Sequence, residues 1–164
     1  MAILTFSGRA AIIQYLQSCP LFLAIGRGNP NWGSVPDPPD YEANKLIDEV
    51  GRKKLTQAFF VNENDNGEIQ MPGGRNYSQS VALTRHLFVR FLFNYGEGVN
   101  TLIREVGIFI NTKVKAGLPA TQTFFTPDQL ADPGTLLLLE NIDKNDADNL
   151  SPKKMGGYRT VITI

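Results

Sequence analysis

At 164 residues, with 42% apolar and 20% charged side chains, the chain has the make-up of one ordinary globular domain and enough apolar content for a sizeable core. Sixteen basic residues balance sixteen acidic ones, so no net field draws it to nucleic acid or to an anionic membrane. Cys19 is the only cysteine, which excludes an intrachain disulfide and a thiolate zinc site.

The first elements are short. Ile3 to Phe6 reads as a strand, and Ser7 offers an N-cap to a helix whose apolar face is Ile12, Tyr15, Leu16 and Cys19, at i, i+3, i+4 and i+7. Pro20 ends that helix, and Leu21 to Ile25 is a compact buried strand, far too short to span a bilayer. From Gly26 to Pro39 the chain carries three glycines and four prolines around Trp32, which predicts a stiff, extended loop. Asp40 is placed to cap a second short helix with the stripe Ala43, Leu46, Ile47 and Val50, ended by Gly51.

Strands dominate the remainder. Leu55 to Val61 leads into Asn62–Gly67 and returns through Glu68 to Met71, and Asn66-Gly67 between apolar runs signals a hairpin. His86 to Tyr95 has Leu87, Val89, Phe91 and Phe93 on one face and Phe88 and Leu92 on the other, the pattern of a strand covered on both sides. Ile103 to Asn111 follows, with Arg104 and Glu105 suggesting a half-exposed or edge position. Thr126 and Pro127 cap a single helical turn, Leu136 to Leu139 reads as a buried strand, and Tyr158 to Ile164 as a terminal one. About seven strands, two short helices and no βαβ rhythm predict a mainly β fold: a β-sandwich with peripheral helices and long Pro/Gly-rich loops, residues 1–164 forming one domain.

Reactive chemistry is sparse. His86 is the only histidine, and no G-x-S-x-G elbow accompanies it, so a structural role is favoured over a catalytic triad. Asn62–Gly67 opens like a calcium loop, but Gly73 stands where the bidentate glutamate belongs, and Asp143–Asn149 lacks both glycine and glutamate. Gly26-Arg27-Gly28 lacks the third glycine, the lysine and the following helix of a phosphate cradle. The expectation is a chain with no catalytic residue, no metal and no cofactor.

The run Leu21 to Gly28, Trp32 and Pro36-Asp37-Pro38-Pro39 is a strand ending in Gly-Arg, then tryptophan and a proline loop. It resembles part of the baseplate wedge protein of T4-like contractile-tail phages. Thr84–Arg90 and Ile103–Phe109 resemble smaller phage tail and baseplate proteins, and Phe125-Thr126-Pro127 with Asp132–Leu137 completes the likeness. The likeness runs from about Leu4 to Ile164, although the long insertions of the T4-like protein are absent and Asn145–Gly157 has no counterpart. The resemblance implies a virion protein of the tail baseplate, assembled in the host cytoplasm. It would work without catalysis, through contacts with other tail and baseplate proteins in multiple copies, and without nucleic acid, membrane or small-molecule substrate.

The candidate partner interface is the Gly26–Pro39 loop, with Arg27, Trp32, Pro36, Pro38 and Pro39 as contact residues. Prolines fix its backbone in advance, so little entropy is lost on docking, and tryptophan is enriched among residues that dominate interfaces. Trp32 as a plug for the end of its own sandwich uses the same physics and stays open. The alternative function is a small-ligand or carbohydrate-binding sandwich in which Trp32 and Tyr41 stack on a sugar.

Overall fold

A computed structural model describes residues 1–98, 101–147 and 157–164. In chain order the elements are helix α1 (Phe6–Ser18), β1 (Leu21–Gly26), β2 (Glu49–Lys54), β3 (Gln57–Glu63), β4 (Ile69–Gln70), β5 (Asn76–Gln79) and β6 (His86–Phe91). There follow β7 (Glu105–Ile110), β8 (Lys113–Val114), β9 (Phe124–Phe125), a 3-10 turn (Pro127–Gln129), β10 (Leu130–Asp132), β11 (Thr135–Asn141), the four-residue α2 (Lys144–Ala147) and β12 (Tyr158–Thr163). The fold is mainly β, as expected. Its contacts fall into two compact units: Met1–Cys19 with Thr56–Arg90 and Arg159–Ile164, and Pro20–Leu55 with Phe91–Tyr158.

The second of these units is built on an antiparallel sheet ordered β11-β7-β1-β2-β9. β1 lies at its centre with every residue buried, so both faces of the strand are covered. Leu23 pairs with Ile108 on one side and with Lys53 on the other. Ala24, Leu46 and Phe109 form a core cluster that takes in Leu136 and Leu139. The cluster is tight at Gly107, where a Cβ would lie 2.7 Å from Leu46 and 2.8 Å from Leu136, so glycine is what lets β7 approach.

Among the described residues of this unit, Arg52, Lys53 and Arg104 are buried cations. Arg52 is held by Glu49 at 2.7 and 3.0 Å, donates to Thr112 Oγ1 and Pro133 O, and stacks its guanidinium 3.6 Å from the Phe109 ring centre. Lys53 Nζ donates to Glu97 at 2.6 Å and to Thr123 Oγ1 at 2.7 Å. Arg104, at the foot of β7, is described with the site below. A buried ion costs several kcal/mol, about 3–5 when a partner is removed, unless such bonds are complete.

The other unit carries a sheet ordered β12-β6-β3-β5-β4 and the helix α1. Val61, Tyr77 and Phe88 pack together with Phe59, Ile69, Met71 and Val161 around them, and Phe59 stacks on Phe88 with ring centres 4.8 Å apart. His86 is buried here. Its Nε2 accepts from Arg85 Nε, an obligate donor, so Nδ1 carries the proton and donates to Thr163 Oγ1 at 2.8 Å. Burial, reinforced by the Arg85 charge, pushes its pKa below the ordinary value and keeps the ring neutral. Both ring nitrogens serve structure.

Several local expectations are corrected. Residues 1–5 form no strand, and Thr5 rather than Ser7 caps α1, its Oγ1 accepting from Gly8 N at 3.1 Å. The helix buries Ala10, Ile13 and Leu16 and leaves Ile12 38% and Tyr15 57% exposed, a rotation of about one residue from the expected face. No helix forms after Asp40: its carboxylate accepts from Glu42 N and its carbonyl from Ala43 N, closing a turn, while Val50 and Gly51 enter β2 to pair with β1. Asn62–Gly67 does not close a hairpin of β3 on β4, because β5 lies between them; the tight hairpin is β4–β5, turned at Gly73 and Gly74, both at positive φ. The expected strand through Tyr95 stops at Phe91. β7 is an interior strand with Arg104 and Glu105 buried, whereas β11 is the half-exposed edge, bulged between Leu136 and Leu138. The 3-10 turn after Thr126 forms as expected, with Gln129 Oε1 accepting from Thr126 N.

Candidate functional site

The loop that leaves β1 is irregular from Arg27 onward, as its prolines require. Gly28 has φ +68°, and a Cβ there would lie 2.2 Å from Trp32 Cζ3, so the indole rests on bare backbone that only glycine provides. A turn follows in which Asn29 Oδ1 accepts from Asn31 N and Asn29 O from Trp32 N. Trp32 Nε1 donates to Asp37 Oδ2 at 3.1 Å, which ties the ring to the proline segment downstream.

Arg104 holds the middle of the loop. Its Nη2 donates to Gly33 O at 2.9 Å and Ser34 O at 3.2 Å, its Nε donates to Ile142 O at 2.9 Å, and its guanidinium carbon sits 5.8 Å from the Trp32 ring centre. Lys144 N donates to Ser34 O, and Asn141 Nδ2 to Asp37 O. At the loop's start Arg27 N donates to Asp48 O, and the two side chains form a solvent-exposed ion pair at 3.1 Å. Glu105, next along β7, accepts from Ile47 N at 2.8 Å; burial pushes its carboxyl above the usual carboxylate range against the pull of the Ile47 and Asp48 backbone. Loop 27–48 is thus closed at its ends by the Arg27–Asp48 pair and by Glu105, and held between them by Arg104, Asn141 and the Lys144 backbone.

Of the residues singled out from sequence, Arg27, Pro38 and Pro39 are exposed and Trp32 and Pro36 are half-buried. Beside them opens a cleft of about 660 Å³ whose lining includes Trp32, Pro30, Leu102, Arg27, Arg104 and Lys144. Arg104, Leu102 and Lys144 were missed as site residues. A buried arginine beside an apolar strand is a signal of a clamped carbonyl cluster, but nothing local in sequence says which loop it clamps. Val35 and Tyr41 project outward at 73% and 92% exposure.

The oxygen-rich Asn62–Gly67 loop spends its groups on itself: Asn64 Oδ1 accepts from Asn66 N, and Asp65 O from Asn76 Nδ2. The second acidic loop, Asp143–Asn149, lies partly outside the described residues, as does most of Asn145–Gly157. Among the described residues no three His, Cys, Asp or Glu side chains converge as metal ligands would, and no helix is long and apolar enough to cross a membrane.

A family model described as baseplate wedge 3 tail fiber network component matches residues 1–155. The chain belongs to that family. The match takes in the whole Arg27–Pro39 loop and every described residue along the cleft, and β12 lies wholly beyond it. No curated protein matches the chain. As a baseplate wedge 3 tail fiber network component, the chain is a structural part of the phage tail baseplate and so of the virion.

Proposed function

We infer that this chain joins neighbouring wedge and fibre proteins of the baseplate by protein–protein contact, in several copies per tail, and catalyses nothing. The family match over residues 1–155 carries the reading. The side-chain chemistry supports it, because the only histidine and the buried cations are consumed in bonds that hold strands and loops together. The Arg27–Pro39 loop is the docking element of this reading. Its backbone is set by prolines and by Arg104 before any partner arrives, so docking orders little that was free. Assembly takes place in the host cytoplasm, before the virion leaves the cell.

The test is to purify tails from a phage carrying an affinity tag on this chain, and in parallel from one lacking it. Recovery of the tagged chain in stoichiometric complexes with wedge and fibre proteins, with baseplates or fibres missing in its absence, is the expected result. A chain found free of tails, or complete fibre-bearing baseplates without it, would refute the reading. Saturable binding of a soluble glycan by the isolated chain would instead favour a ligand-binding module built on Trp32 and Tyr41.

A further inference from the structure

The cleft beside the loop has an unbalanced charge. Among the described residues that line it, Arg27, Arg104 and Lys144 are cations and none is a carboxylate. Arg27 is the least available, since Asp48 already pairs with it in solvent. Arg104 is different. It is 7% exposed, and its bonds run to the neutral carbonyls of Gly33, Ser34 and Ile142. Among the described residues it forms no ion pair, and the bonds that hold its charge run to neutral dipoles. The other two buried cations of the same unit, Arg52 and Lys53, each have a glutamate. Lys144 is exposed, and among the described residues it too has no ion pair.

We propose that this cleft receives an extended acidic segment of a neighbouring baseplate protein, its carboxylates meeting Lys144 at the rim and the field of Arg104 from the floor. The inference rests on the docking role given above and adds the chemistry of the partner. A carboxylate entering the cleft meets a buried positive charge that is screened less than an exposed one, a gain offset in part by the carboxylate's own desolvation. Pro30, Trp32 and Leu102 supply apolar wall for the segment's aliphatic parts. A cleft volume of about 660 Å³ suits a few residues of chain better than a lone small anion. Nucleic acid fits less well, because three cations in a chain of zero net charge make no backbone-tracking stripe.

Carbodiimide cross-linking of intact tails reads this contact directly, since the reagent joins an amine to a carboxylate only when the two touch. The expected product links Lys144 to an aspartate or glutamate of a different baseplate protein. Its companion is Lys144→Glu, with Lys144→Ala as a second variant; the Lys144 side chain is exposed, so Trp32 emission and the melting curve of the isolated chain stay as in wild type. Incorporation of Lys144→Glu into tails should fall at least about tenfold in competition with wild type, and more steeply at low salt. Links from Lys144 only to its own chain or to a second copy, photo-cross-linking of the loop to nucleic acid, or undiminished incorporation of Lys144→Glu would each overturn the proposal. Wild-type chain absent from tails would instead overturn the docking role itself, so the two failures are distinguishable.

Discussion

The Lys53–Glu97 pair lets the cost of a buried charge be measured in this fold. Lys53 is 1% exposed and sits in β2 beneath Glu97, which is 15% exposed and is also bonded by Asn94 N at 2.7 Å. Glu97→Gln keeps the shape but leaves the ammonium with Thr123 Oγ1 and no counter-charge. Breaking a buried pair in this way costs about 3–5 kcal/mol, and partial solvation of Glu97 lowers the expectation to about 2–4 kcal/mol. The double variant Lys53→Met with Glu97→Gln removes the stranded charge and should return to within about 1 kcal/mol of wild type. Urea unfolding followed by circular dichroism and by Trp32, the only tryptophan, supplies both numbers. Burial pushes the Glu97 carboxyl upward, but the bonds from Lys53 and Asn94 outweigh it, so its pKa lies below the ordinary 4.5. A carboxyl depressed on folding stabilises the chain above its unfolded pKa and loses that contribution as pH falls through its folded one. The gap between wild type and Glu97→Gln should therefore be full at neutral pH and close as the pH drops below about 4.5. A loss under about 0.5 kcal/mol for Glu97→Gln at pH 7 would refute the reasoning.

Phe91→Ala and Ile108→Ala, at 0% and 2% exposure, should each cost about 2–5 kcal/mol in the same unfolding assay, and a surface-like loss would mean that the strand faces are wrong. On α1, Ile13→Ala should cost about 2–4 kcal/mol while its neighbour Ile12→Ala stays under about 1; the reverse ranking would restore the helix face read from sequence. Gly28→Ala puts a methyl into the Trp32 ring at φ +68°, so it should redshift Trp32 emission and lower the melting temperature, whereas an unchanged spectrum would show that the indole does not rest there. Because the chain passes four times between its two units, we expect one cooperative transition from a single domain, and two separated melts by calorimetry would exclude it.

What was legible in the sequence was whatever an apolar run spells out by itself. β1 is an uninterrupted Leu21–Ile25 stretch, and Phe91 and Ile108 fall in alternating patterns, so their burial could be read directly. The 3-10 turn carries its own signature in Thr126, Pro127 and Gln129. The helix face was read half correctly, with Leu16 and Cys19 buried but Ile12 and Tyr15 exposed. The reason is that α1 has adjacent isoleucines at 12 and 13 and Arg9 as its one charged residue, leaving the stripe undetermined by about 100°. The segment after Asp40 failed because an Asx turn and an N-cap use the same carboxylate, and pairing with β1 decided between them. At the site, the loop was visible through its prolines, but its clamp was not. Arg104 suggested a half-exposed or edge strand, and what holds it and Lys53 in place lies far along the chain, 44 residues for Lys53–Glu97 and 71 for Arg104–Gly33.

The central place of β1 also sets the order in which the protein can come into being. Its six buried residues pair with β7, roughly eighty positions later in the chain. At a synthesis rate of about 5–20 residues per second, β1 has left the ribosome for about 4–16 seconds before that partner exists. β2 arrives sooner but covers only one edge. During that interval an apolar strand waits with an open edge, which is the condition under which nascent chains associate wrongly. The hazard this strand poses is therefore greatest during synthesis, well before any question of assembly arises.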